Sequence, residues 1–268
     1  MYFAIRDDDT SYYTKPEELI SAYKELSNLP ISLSVVPKAT YRHGSNLPYG
    51  DGVYDMDEVL VGENEELVSF LKGKISEHSV EIVMHGITHR YYRENSCWIP
   101  EMNNFKFQDS FQELQKMREY LESVFCTKIS AFAAPSNSLN CDAHKALDIL
   151  GLDTMGFLTK RIDHPISPAF LRYYLKRNIC KLFNIEQPFA MKFKNHKELP
   201  VFQLQEPEIM WRNYLSCKNN GGIPFIIYTH YWHLNKCECD KRYLIQMVEK
   251  MTSDGAKPVL VSDCFKVF

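Results

Sequence analysis

Short apolar runs alternate along this chain with longer segments in which apolar residues recur every three or four positions. Runs at 2–6, 31–36, 80–84, 129–134, 153–158, 201–204, 223–229 and 258–261 have the length and apolar continuity of strands buried on both faces. Between them, segments 63–78, 109–125, 142–150, 168–183, 207–218 and 240–252 carry the helical period. A further helix opens at Lys15-Pro16-Glu17-Glu18, with Thr14 as its expected N-cap and Pro16 in its first turn. Strand alternating with helix argues for parallel strands joined by right-handed crossovers, so the expected class is α/β. No Gly-rich phosphate loop follows the first run, and no Ser/Gly/Pro-rich linker divides the chain. The expectation is one domain over residues 1–268, a single distorted (β/α) barrel of about seven parallel strands. Three longer connections, 37–62, 90–108 and 159–167, are candidates for the loops that build active sites at the carboxyl ends of barrel strands.

Composition removes some function classes and adds little else. The 268 residues are 45% hydrophobic and 24% charged, ordinary values for a globular protein. A formal net charge of −3 without a dense Lys/Arg run gives no reason to expect a nucleic-acid or anionic-membrane partner. No run approaches the ~18 apolar residues of a membrane span. The opening residues lack the basic-then-apolar pattern of a secretion signal, so a cytoplasmic location is expected. The 8 cysteines are scattered, which suits reduced thiols in such a compartment. The 16 Tyr, 16 Phe and 3 Trp suit a core, and equally a cleft that stacks on sugar rings.

Chemistry gathers at strand ends. The first run closes on Asp7, Asp8 and Asp9, whose mutual repulsion raises at least one pKa unless a cation neutralises them. The run at 80–84 leads straight into His85-Gly86-Ile87-Thr88-His89; if the turn there is helical, the i, i+4 spacing puts both imidazoles on one face. Two imidazoles and a carboxylate would hold a divalent transition metal, zinc first, leaving positions for water and substrate. A solvated acidic loop and two polar residues on an exposed turn are the plainer readings. The run at 223–229 delivers His230, either a general acid or a hydrogen-bonded strand-end residue, with Trp232 beside it as an aromatic for substrate. The run at 129–134 breaks at Pro135, and the loop through Ser136 and Asn137 could offer N–H groups to an oxyanion. His230, His233, Cys237 and Cys239 form a rival structural zinc set, with a C-x-C spacing tighter than usual.

In this order the elements resemble the polysaccharide deacetylase family of carbohydrate esterases. That family places T-F-D-D after its first strand, H-[S/T]-x-x-H after the third, R-x-P-Y after the fourth and L-x-H on the last. Arg6-Asp7-Asp8-Asp9 resembles the first motif, His85-Gly86-Ile87-Thr88-His89 the second, Ala133-Ala134-Pro135-Ser136 the third and Tyr228-Thr229-His230 the last. The resemblance spans nearly the whole chain. It implies a distorted barrel and a metal-dependent hydrolase that removes an N- or O-linked acetyl group from a sugar or glycan intermediate. It implies Asp8 as general base, Asp9, His85 and His89 as metal ligands, and His230 as general acid. Ala133 stands where the family has the arginine that orients the base, Ser136 for its tyrosine, Thr10 for a glycine and Gly86 for Ser or Thr. Arg161 and Asp163 are the nearest candidates for the fourth motif. A non-catalytic sugar-binding barrel and a metal-dependent hydrolase of another amide or ester are the alternatives.

Overall fold

The computed structural model describes residues 1–43, 57–156, 168–183 and 188–268. Its strands are β1 (Tyr2–Thr10), β2 (Ile31–Val35), β3 (Lys38–Ala39), β4 (Val59–Leu60), β5 (Val80–His85), β6 (Tyr91–Glu94) and β7 (Cys97–Pro100). They continue as β8 (Ala131–Ala133), β9 (Asp153–Met155), β10 (Met191–Lys192), β11 (Lys197–Leu199), β12 (Val201–Gln203), β13 (Phe225–Thr229) and β14 (Lys257–Pro258). The helices are α1 (Pro16–Ala22), α2 (Glu65–Ser76), α3 (Phe107–Phe125), α4 (Cys141–Leu150), α5 (Pro168–Leu182), α6 (Pro207–Asn219), α7 (Tyr231–Leu234), α8 (Glu238–Ser253) and α9 (Val261–Val267). Expected segment 153–158 is a strand only to Met155; residues 157–167, with Arg161 and Asp163, lie outside the described residues, as does 44–56 within the first long connection.

One sheet runs in the order β10-β11-β9-β8-β5-β2-β1-β13-β12, with β14 also on β1. Its neighbours pair in parallel except β10 with β11. β12, at one end of that order, directly follows β11, the second strand from the other end. β11 pairs with β9 and β12 pairs with β13, and only Pro200 separates β11 from β12. Proline carries no N–H to offer a ladder. The segment therefore changes partners there and curls the sheet into a distorted β/α barrel.

Side-chain alternation sorts the two faces. Phe3, Ile5, Leu33, Ile82, Met84 and Phe132 face the surrounding helices in the main core. Ala4, Val83, Ala131, Ala133, Met155, Leu199 and Ile226 form a separate inner cluster together with Val261, Cys264 and Phe265 of α9. Continuing the inner register from Ala4 gives Arg6 and then Asp8; continuing from Val83 gives His85. The polar site thus sits on top of the inner cluster because a two-residue period carries the same face upward.

Side chains cap α2 and α4, where Asn64 accepts from Leu67 N–H at 3.0 Å and Asn140 from Ala143 N–H at 2.8 Å. It differs at α1. Lys15 is the N-cap there, and its N–H donates to Glu18 at 3.0 Å. Thr14 is instead drawn inward: its hydroxyl accepts from Ser11 N–H at 3.0 Å and shares a 2.9 Å hydrogen bond with the Tyr231 hydroxyl of α7. Among the described residues no helix is long and apolar enough to cross a membrane.

Candidate metal centre and active site

The acidic triplet does not cap β1 but lies inside it. The register between β1 and β2 shifts between Asp7 and Thr10, and Asp9 has φ 74. Such a bulge re-aims one side chain. Regular alternation would send Asp9 toward the helices; the bulge lets Asp8 and Asp9 both reach the barrel mouth. Asp7 keeps the outer face, where the Tyr23 hydroxyl donates to it. Burial pushes the Asp7 carboxyl well up against that hydrogen bond, and the charges of Asp8 and Asp9 push it the same way.

Four imidazoles surround Asp9. Its Oδ1 is 3.3 Å from His89 Nε2, 3.4 Å from His85 Nε2 and 3.8 Å from His43 Nδ1, and its Oδ2 is 3.6 Å from His230 Nε2. The carboxyl is buried, which disfavours its charge, but His43, His85, His230 and His89 outweigh burial and hold it well below the usual range. His85 Nδ1 donates to the Ala133 carbonyl at 2.8 Å and Nε2 faces Asp9; burial disfavours charge on this ring, but Asp8, Asp9 and the carbonyl outweigh it and raise its pKa. Burial pushes the His89 pKa well down, helped by His43 and opposed by Asp9.

These separations test whether an ion fits. Donors ~2.0–2.1 Å from a tetrahedral ion stand ~3.3–3.4 Å apart. The distances from Asp9 to His85 and His89 match that edge and are long for a charge-assisted hydrogen bond. Asp9 Oδ1 has no hydrogen-bond partner although it is buried. Asp9, His43 and His89 can bring their ligand atoms within 4.8 Å of one another. Asp9, His43 and His89 therefore form a donor set that fits a divalent ion, and His85 stands beside it at 3.4 Å from Asp9.

The turn that carries both sequence-marked histidines is not helical. Gly86 has φ 65 and His89 φ 55, and the chain bends around the buried carboxylate of Glu101. Glu101 accepts from the N–H groups of Ile87 at 2.9 Å, Thr88 at 2.7 Å and His89 at 3.2 Å, and from the Thr88 hydroxyl at 2.5 Å. A Cβ on Gly86 would stand 2.4 Å from Glu101 Oε2 and 2.4 Å from Pro135 Cγ. That contact explains glycine at this position.

Asp8 is gripped from its own strand. Arg6 Nη2 donates to Asp8 Oδ2 at 2.6 Å and to Asn137 Oδ1 at 3.2 Å, and its guanidinium lies 5.0 Å from the centre of the Tyr228 ring. Arg6 is 0% exposed. The other Asp8 oxygen, Oδ1, is buried without a partner. Ser136 (φ 55) and Asn137 (φ 46) both take left-handed backbone in the turn after β8. Asn137 N–H is used by the Ala134 carbonyl at 3.0 Å, and its side chain serves Arg6. The Tyr91 hydroxyl meets Ser136 Oγ. His230, 28% exposed at its side chain, reaches the mouth, and the Trp232 indole donates to Asp9 Oδ2 at 3.1 Å.

The rival zinc set is not brought together. His230 turns to Asp9, while His233 Nε2 lies 2.6 Å from Asp240 and groups with Cys237. A separate buried group lies on the helix side of the sheet, where Glu198 Oε1 is 3.1 Å from His144 Nδ1 and 3.3 Å from His196 Nε2. Sequence reading missed His43, Glu101 and Tyr91. Their signal was only that they lie in the two long loops after strands, where polar residues gather at a barrel mouth.

No protein-family model matches the chain, and no curated protein matches it either. Solved structures do. A candidate polysaccharide deacetylase from Mycobacterium smegmatis superposes with TM-score 0.56 at 13% identity, covering 99% of this chain and 90% of that one. A family 4 acetyl xylan esterase from Clostridium thermocellum, in complex with a cobalt ion, gives 0.50 at 11% identity over 100% and 91%. A mutant of a pseudoenzyme of carbohydrate esterase family 4, with restored activity, gives 0.50 at 13% over 98% and 67%. The chain has the fold of these proteins.

Proposed function

We propose that residues 1–268 form one domain and act as a metal-dependent hydrolase that removes an acetyl group from a sugar or glycan intermediate, with a cytoplasmic site of action. The observation that carries this reading is the cluster around Asp9: His85 and His89 at tetrahedral-edge distance, beside an Asp8 carboxylate clamped on one side and bare on the other. The shared fold with carbohydrate esterases adds support.

Asp9, His85 and His89 would hold the ion, with His43 as a further donor and zinc as first choice. A bound ion lowers the pKa of its water and polarises an acyl oxygen. Asp8 Oδ1 would accept a proton from an attacking water, while Arg6 fixes Oδ2 and so aims the free lone pair. The oxyanion side is served by the Ser136 N–H and the Tyr91 hydroxyl that rests on Ser136. His230 gives a proton to the departing amine or alcohol. Trp232 orients Asp9 through its indole N–H and closes the aromatic wall beside His230 at 4.9 Å between ring centres.

The loss of arginine at 133 and tyrosine at 136 favours a second reading, a sugar-binding barrel without turnover. Against that reading, Arg6 supplies a guanidinium to Asp8 and Tyr91 brings a phenol hydroxyl to Ser136, each from another element. Metal analysis of the purified protein tests the site directly. The double variant His85→Ala/His89→Ala should lose the ion while keeping the wild-type circular dichroism spectrum. Full occupancy in that variant would remove the assignment.

A further inference from the structure

Helix α5 is apolar on two opposite faces. Phe170, Tyr173 and Cys180 are buried, and Phe170 and Tyr173 pack with Met191 of β10. At 100° per residue, Leu171, Leu175, Ile179 and Leu182 fall on the opposite side, and Phe183 follows just after the helix. Leu175 is 63% exposed, Leu182 77% and Phe183 67%. Isolated exposed apolar residues need no explanation, but a contiguous row does.

The charge pattern identifies what covers the row. Within α5 the charged residues are Arg172, Lys176, Arg177 and Lys181, with no Asp or Glu, in a chain of formal net charge −3. On the wheel Arg172 and Lys176 flank one edge of the apolar row, and on the other side, past Asn178 and Tyr174, the next charged residue is Lys181. A cavity of about 630 Å³ opens beside this helix, and among the described residues its charged side chains are Arg172, Lys176 and Lys192. Apolar side chains between basic borders match a surface that is hydrocarbon beneath and anionic at the headgroups. A second copy placed face to face would set like charges opposite each other. The overall charge of the chain conceals this feature because it is confined to one helix.

We propose that α5 docks the protein peripherally on an anionic lipid bilayer, with Leu171, Leu175, Ile179, Leu182 and Phe183 entering the headgroup region and Arg172, Lys176 and Lys181 facing lipid phosphate. The inference is independent of the reaction assigned above. Vesicle sedimentation of the full chain tests it, using large vesicles of phosphatidylcholine alone or with 30 mol% phosphatidylglycerol at ~0.1 M salt. Binding to the anionic vesicles should exceed binding to the neutral ones at least about tenfold and weaken at ~0.5 M salt. Leu175→Ser/Ile179→Ser and, separately, Lys176→Glu/Lys181→Glu should each reduce it about tenfold or more. These positions are exposed, and the contact given up is that of Lys176 with the Phe189 ring at 5.7 Å, so both variants should melt within a few degrees of wild type, which separates lost docking from lost fold. Failure of the wild type to sediment with anionic vesicles overturns the proposal. So does a salt-insensitive dimer in light scattering that Leu175→Ser/Ile179→Ser dissolves, because a second copy would then cover the row.

Discussion

Within the acidic triplet, backbone geometry gives three identical side chains three environments. Asp7 faces helices, Asp8 meets Arg6, and Asp9 meets four imidazoles. Roles should separate accordingly under substitution. Asp8→Asn should keep the ion and lower turnover by ~10²–10⁴, the usual worth of a general base. Asp9→Asn should lose metal affinity first. Arg6→Lys should lower kcat ~10–100-fold with KM and metal content near wild type, because a lysine keeps the charge but not the planar fork that fixes Asp8. Paired kcat, KM and metal measurements check all three; a normal kcat in Arg6→Lys would refute the positioning role. Asp8, Asp9, His85, His89 and His230 were legible as letters at strand ends. The work of Arg6 was not, because comparing motifs position by position shows only an arginine absent at 133. Its contact with Asp8 appears once the strand's two-residue period is applied, and its contact with Asn137 needs the fold.

Among the elements, the bulge in β1 and the bend after β5 build the site, and neither has a clear sequence signal. Strand and helix positions were legible because buried strands read as continuous apolar runs and surface helices as periodic ones. The i, i+4 histidine spacing suggested a helical turn, but Glu101, distant in sequence, gathers three N–H groups and bends the chain instead. Closure of the barrel at Pro200 was equally hidden, since it depends on which strands each half of 197–203 pairs with. The bend yields a prediction that runs against the family resemblance. Gly86→Ser restores the family's residue type, yet its Cβ meets Glu101 and Pro135 at left-handed φ. Urea unfolding should show a loss on the order of 2–3 kcal/mol. An unchanged midpoint would contradict the packing described for this turn.

On the scale of the molecule, the curled sheet brings residues from β1, the loop after β3, β5 and the end of β13 to one mouth, and leaves a second polar group behind it. There, burial disfavours charge on His196, but hydrogen bonds and charges from Glu198 and Asp148 outweigh it and raise its pKa. A raised histidine pKa gives stability that is fully present below the unfolded value of ~6.5 and is lost as pH climbs through the folded value. The stability advantage of wild type over His196→Gln, about 1.5–3 kcal/mol on the acidic side, should therefore shrink as pH rises from about 5.5 to 8.5. A constant or widening gap in urea unfolding would contradict it. The central claim, that the mouth around Asp9 is a metal-dependent deacetylase site, is tested most directly by acetate release. Chelated protein is titrated with zinc or cobalt against a panel of N- and O-acetylated saccharides, with metal-loaded Asp8→Asn in parallel. The account predicts release that appears on metal addition, saturates near one ion per chain and is lost in Asp8→Asn; equal activity in the chelated protein, or no acetate from the metal-loaded wild type, would contradict it.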